Sequence, residues 1–290
     1  MGLIGKGLGK ILGAILGVAA AAGTVAAVDG AVKTKKAKEL NNQAKQIESN
    51  ALSNYEKAHD YADSQLLDLG KSKKTAIDFF PWFSELLEKI QDRPNFRGQY
   101  DEQYKLQQLD INEIQTMSEG LRVALAGAAG AGAGALIGLA AFGPSAIIAA
   151  PAIAVGGFVI CAKGNKMYQE AKRNKEKALE LEDQINKLIP YLHDVATYSN
   201  SLSRTFLRVN SYYYRYLKNL ETVLKHKTNW KDFTKEEKKA TKCCVLLTRL
   251  LTEMCKVEIV QKGRVERVNI EDVRKVQDDV YNLLPKLSKI

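Results

Sequence analysis

The sequence has little of what most enzymes use. It holds three histidines, His59, His193 and His226, far apart in the chain, with no HExxH pair and no nucleophile pattern beside any of them. Its four cysteines, Cys161, Cys243, Cys244 and Cys255, form no CxxC and have no zinc spacing with a histidine. They read as core thiols of a reducing compartment, not as a disulfide framework. Carboxylates are spread along lysine-rich polar faces, which is the pattern of solvated helices. No catalytic set, metal site or cofactor site emerges, so the expectation is a protein that is not an enzyme and carries no cofactor.

The glycine-rich runs do not make nucleotide sites either. GLGKI contains a Gly-Lys pair, but Ile11 stands where a phosphate loop needs Ser or Thr, and Ile4 where it needs its first Gly. VALAGAAGAGAG begins like a dinucleotide turn, yet the following thirty residues contain no acid to hold a ribose. The chain is basic, with 43 Lys and Arg against 33 Asp and Glu. The lysines are scattered, without a nucleic-acid-binding motif, and no nucleic acid is expected as a partner. TKKAKELNNQAK and AKRNKEKALE are locally basic and each follows an apolar segment, where lysines meet anionic head groups.

Charge is absent where apolar residues concentrate. From Val123 to Ala162 there is no charged residue, and the run is interrupted near its middle by Gly143, Pro144 and Ser145. The two halves, Val123 to Phe142 and Ser145 to Ala162, each approach the length of a helix that crosses a hydrocarbon layer. Arg122 stands at the entry, Lys163 and Lys166 at the exit. This predicts a hydrophobic helical hairpin over 121–163, with basic ends on one side and a neutral tip able to cross a bilayer. The run holds thirteen Val, Leu, Ile or Phe, with 15 Ala and 8 Gly. Such a composition favours insertion by only about 4 to 8 kcal/mol before Gly and Pro penalties, which suits conditional insertion.

Glycine is not scarce there, and its spacing is regular. Gly5, Gly9, Gly13 and Gly17 recur every fourth residue, as do Gly130, Gly134 and Gly138. A glycine costs about 1 kcal/mol in a helix interior relative to alanine. In lipid, small residues at this spacing allow close helix packing, which predicts self-association. The same residues would also pack a tight water-soluble bundle. The N-terminal stretch, 1–30, has Lys6 and Lys10 ahead of an uncharged Ile11 to Val28. It fits a signal peptide, a membrane-anchoring helix or a buried helix. Lys6 is a poor match to a myristoylation signal.

The flanking segments read as helices. Region 31–120 opens with a polar helix from about Ala31 to Leu69, apolar at Leu40, Ala44, Ile47, Ala51, Tyr55, Ala58, Ala62 and Leu69, close to an eleven-residue repeat. DFFPWF, Asp78 to Phe83, clusters aromatics around Pro81; a turn at Arg93 to Gly98 leads to a helix from about Tyr100 to Ser118. Region 164–228 keeps a heptad pattern through Met167, Ala171, Asn174, Ala178, Leu181, Ile185, Leu188, Leu192 and Val195, continued by Phe206, Val209, Tyr213, Leu217, Leu220 and Leu224, with Pro190 expected to kink or break it. In 229–290, Thr234 and Glu237 form a capping box for a helix to about Lys256. KVEIVQKGRVERVN suggests a small β-hairpin, and Asn269 caps a last helix to about Leu284.

The expected fold is therefore mainly α: an elongated bundle with long coiled-coil-like helices, a central hydrophobic hairpin and a small C-terminal β-hairpin. The order of parts resembles the α-helical pore-forming toxins and the apolipoprotein L-like proteins. GAAGAGAGALIGLAAFGPSAIIAAPAIAVGGFVI and the helices beside it carry that resemblance. It implies an oligomeric, membrane-permeabilising protein, associated with a membrane after a soluble stage and acting as toxin or defence effector. The expected contact residues are Lys6, Lys10, Arg122, Lys163 and Lys166 on anionic head groups. For insertion and packing they are Phe158, Gly143, Pro144 and the two glycine stripes. The alternative is a membrane-anchored coiled-coil scaffold or secretion translocator without pore activity, with a partner protein.

Overall fold

The structure, a computed structural model, describes residues 29–94, 96, 111–126, 136, 139–140, 167–261 and 267–287. The fold is mainly α. Among the described residues there are five α-helices: α1 (Asp29–Glu88), α2 (Ile111–Ala126), α3 (Met167–Leu224), α4 (Lys235–Lys256) and α5 (Ile270–Leu287). A two-stranded antiparallel sheet, β1 (Val260–Gln261) and β2 (Arg267–Val268), pairs Val260 with Val268. The chain divides into two compact units. The first takes α1 up to Ala62 and α3 up to His193; the second takes the remainder of both helices with α2, α4, the hairpin and α5.

In the first unit, small residues form the buried seam. Ala37, Ala44, Ala51 and Ala58 recur every seventh residue on α1, as do Ala171, Ala178 and Ile185 on α3, and all are buried. The seven-residue spacing replaces the eleven-residue repeat expected from sequence, because Leu40, Ile47 and Tyr55 are only half-buried. A strict seven-residue repeat favours left-handed pairing of helices. The two helices run parallel. Asn174 donates to the Asn41 side chain at 3.1 Å, Lys175 to Gln43 at 2.9 Å, and further along the Tyr61 and His193 rings lie 6.3 Å apart. A polar pair such as Asn41–Asn174 in an apolar seam fixes which residues lie opposite one another.

The second unit holds a conventional core. Leu66, Leu69, Ile77, Phe80 and Phe83 of α1 are buried, with Leu202, Phe206, Val209, Tyr213 and Leu217 of α3 and Leu247, Leu250, Leu251 and Met254 of α4. Ser72 meets Ser203 at 2.9 Å, and the Asn210 amide donates to the Ser72 carbonyl at 3.0 Å. Gln91 donates to the Thr228 carbonyl, and Trp230 to the Gln91 carbonyl, tying the end of α1 to the α3–α4 connection. The C-terminal elements follow the sequence closely. Thr234 Oγ1 accepts from the Glu237 amide, and Glu237 accepts from the Thr234 amide at 2.7 Å. Asn269 Oδ1 lies 3.4 Å from the Asp272 amide at the start of α5.

Two prolines sit inside long helices without ending them. Helix α3 is continuous through Pro190, and both Pro190 and Asn186, four residues before it, are exposed. Water can serve the carbonyl that Pro190 leaves without a donor. Helix α1 runs past the expected end at Leu69 and through Pro81 to Glu88. There the orphaned carbonyl belongs to Ile77, which is buried. Ser118 Oγ, on α2, donates to it at 3.1 Å and shares its proton with the Ile114 carbonyl at 3.0 Å. A hydroxyl from another helix thus replaces the missing amide. Ser118→Ala should cost about 1 kcal/mol in urea unfolding. In a Pro81→Ala background, where residue 81 regains its own N–H, the same change should cost at least about 0.5 kcal/mol less.

Candidate functional site

The region of most functional interest on sequence grounds is the charge-free run. Three of its residues beyond α2 are described, Leu136, Leu139 and Ala140, and Leu139 and Ala140 are fully buried. The run does not begin as a separate element: Val123 to Ala126 continue α2, and Val123 is 69% exposed. Two features of α1 receive the buried part, Gly70 and Lys73.

Gly70 provides close approach. A Cβ built there would stand 2.2 Å from the Leu136 carbonyl oxygen and 2.6 Å from its carbonyl carbon. Backbone meets backbone at this point, and no larger residue fits without displacing the arm. One helical turn on, Lys73 is fully buried. Its Nζ donates to Val257 O at 2.6 Å, Leu139 O at 3.1 Å and Ala140 O at 3.4 Å. Three ammonium protons meet three main-chain carbonyls, so the charge is hydrogen-bonded although removed from water. Burial lowers the Lys73 ammonium to about 8, while Cys255 and Glu258 nearby act in the opposite direction. The amine joins α1, the apolar arm and the turn between α4 and β1.

Sequence reasoning missed Lys73. KSKK, Lys71 to Lys74, reads as a solvated basic run, and Lys71 and Lys74 do pair with Asp68 and Asp78. The signal lies in the period. Ala62, Leu66, Leu69, Lys73, Ala76 and Phe80 keep steps of three and four along one face, and all are buried. Lys73 is the one charge on that apolar series.

Of the expected contact residues, Arg122 is described. It is exposed on α2 and lines a groove of about 440 Å³ with Lys74, Asp78, Pro81 and Glu119. Gly5, Lys6, Gly9, Lys10, Gly13, Gly17, Gly130, Gly134, Gly138, Gly143, Pro144, Phe158, Lys163 and Lys166 lie outside the described residues. His59 and Cys243, Cys244 and Cys255 are buried, and burial raises all three thiols. Among the described residues no helix is long and apolar enough to cross a membrane, and no group of His, Cys, Asp or Glu is placed to hold a metal. Compared with family models, curated proteins and solved structures, the chain has no match.

The buried amine has a pH signature. With Lys73 near 8 when folded and 10.5 when unfolded, the unfolded chain holds one more proton between those values. Stability contributed at this site therefore rises with pH across that window. Cys243, Cys255 and Tyr216, which burial pushes up to about 11, 12 and 12, act oppositely but are common to both proteins of a comparison. Urea unfolding should show the stability of the parent relative to Lys73→Met increasing by about 3 kcal/mol from pH 8 to pH 10.5. A difference flat with pH would mean that Lys73 is solvated.

Proposed function

We propose that this chain is a membrane-inserting protein that stores part of its apolar hairpin in a helical core. On release it drives that hairpin into an anionic bilayer, self-associates and permeabilises it. The observation that carries the reading is the parallel course of α1 and α3 in the first unit. Asn41 meets Asn174 and Gln43 meets Lys175, so Asp29 and Met167 begin their helices at the same end of that unit. Asp29 directly follows the charge-free segment Ile11 to Val28, and Met167 follows Val123 to Ala162 after four residues that include Lys163 and Lys166. By chain connectivity the two apolar segments thus lead into one end of a polar helix pair, which suits two segments that enter one bilayer together.

The clamp supports the stored stage. Leu139 and Ala140 are held through main-chain carbonyls, and main-chain carbonyls do not depend on side-chain identity. A mildly apolar arm rich in Ala and Gly gains little from water exclusion, about 25 cal/mol per Å² buried. The ammonium and the bare Gly70 backbone supply the close contacts that such small side chains cannot. In the bilayer the glycine stripes take over, since packing between helices there relies on small residues.

Dye-loaded vesicles of anionic lipid and the full chain test the reading. The parent should release dye. Gly70→Ala, which pushes against the Leu136 backbone, should release it at lower protein concentration, because the arm is held less tightly. Gly130→Leu with Gly134→Leu should abolish release and oligomers while leaving the helical content unchanged. Vesicle binding without release, in the parent and in Gly70→Ala alike, would favour the coiled-coil scaffold that the alanine seam and the Asn41–Asn174 pair also fit.

A further inference from the structure

The two halves of α3 carry charge differently. Up to His193 its exposed cations alternate with acids and pair within the helix, as Lys172 does with Glu176 and Lys187 with Asp183. From Val195 to Leu220 there is no Asp or Glu at all. The solvent face of that stretch presents Arg204, Leu207, Arg208, Tyr214, Arg215 and Lys218, all exposed and related by spacings of three, four and seven along one side of a single helix. The strip is about 21 Å long at ~1.5 Å per residue. Leu207 is 61% exposed and Tyr214 48%. Arg204 and Arg208 have no ion-pair or hydrogen-bond partner among the described residues.

Aromatic rings border the cations. Phe79 and Trp82 of α1, both half-buried, lie 5.9 and 6.0 Å from the Tyr214 ring. Lys218 stands 4.9 Å from the Trp82 ring centre, and it also pairs with Glu221, the acid that ends the strip. The Arg215 guanidinium stacks on Tyr212 at 5.0 Å and Tyr216 at 5.7 Å. The next helix, α5, carries both signs, with Asp278 and Asp279 as well as Arg274 and Lys275, so the excess of positive charge belongs to α3.

Unpaired arginines beside Trp and Tyr fit an anionic lipid surface. Basic residues gain from anionic head groups, and the two aromatic types favour the membrane–water interface. Leu207, between Arg204 and Arg208, offers nothing to a phosphate backbone but can enter the acyl boundary. We propose that this strip is where the folded chain first docks on an anionic bilayer. The guanidiniums of Arg204, Arg208 and Arg215 sit on lipid phosphates, with Leu207, Trp82 and Tyr214 at head-group depth. The docking rests on the reading that the chain meets a bilayer, but it uses residues outside the apolar hairpin and its flanks.

The test uses the full chain carrying Trp230→Phe, which leaves Trp82 as its single tryptophan. Vesicles of phosphatidylglycerol with phosphatidylcholine should float the protein and shift Trp82 emission to the blue; phosphatidylcholine alone should do neither. Arg204→Gln, Arg208→Gln and Arg215→Gln together should weaken binding about a hundredfold, the effect of three surface cations. The matching triple lysine variant should bind within about threefold of the parent, with circular dichroism unchanged in both. A glutamine triple that binds like the parent, or binding without any Trp82 shift, overturns the strip even where dye release persists. The strip is also overturned where anionic vesicles fail to bind and a duplex oligonucleotide or an acidic peptide shifts Trp82 instead. Binding and Trp82 shift that respond as expected, without dye release, uphold the docking and overturn permeabilisation.

Discussion

One buried ammonium organises the larger unit. Lys73 leaves water entirely, and its three hydrogen bonds go to main-chain carbonyls, one from the turn after α4 and two from the apolar arm, while Cys255 and Glu258 nearby also favour its charged form. Withdrawing an unpaired charge from water costs far more than a typical domain can spare, so the carbonyls and the amine require one another. Removing the arm would leave the ammonium short of two partners. Removing the amine would leave carbonyls unserved in an apolar setting. The core and the arm are therefore coupled by hydrogen bonding more than by apolar area, which fits a segment whose side chains are mostly methyl groups and hydrogens.

That coupling bears on how a charge-free segment can be kept in a folded chain and still be released. Gly70 admits the Leu136 backbone, and Lys73 grips the next turn. Both contacts are short-range and directional, so a small displacement loses them together. The proposed docking strip lies on another helix of the same unit and uses long, exposed cations instead. Attachment to lipid and retention of the arm are then carried by different side chains, and each can be altered without the other.

Much of the architecture was legible because it is written locally. The capping box at Thr234 and Glu237, the strand pair around QKGR and the Asn269 start of the last helix all depend on residues within four or five positions of one another. The apolar spacing of Phe206, Val209, Tyr213, Leu217 and Leu220 was equally plain, and all are buried. What was missed depends on distant partners. Helix α1 was ended at Leu69, whereas it continues through Pro81, where the compensating hydroxyl of Ser118 comes from 41 residues away. Lys73 was hidden in a basic run, although its place on the period of Leu66, Leu69 and Phe80 marked it as inward. The alanine seam was blurred by half-buried Ile47 and Tyr55, which share its side of the helix. Of the expected head-group and packing residues, Arg122 is seen on an exposed face; Gly70 and Lys73 on α1 were not foreseen.

The shared direction of α1 and α3 in the first unit also has a mechanical meaning. A pair of helices drawn apart from their common starting end is not sheared along its whole length. It opens like a zip, one rung at a time, beginning with Ala37 and the Asn41–Asn174 bond. Each rung of an alanine seam is weak by itself. Sideways separation of the two segments leading into Asp29 and Met167 would thus meet little resistance at any instant, whereas a pull along the helix axes would have to break the rungs all at once.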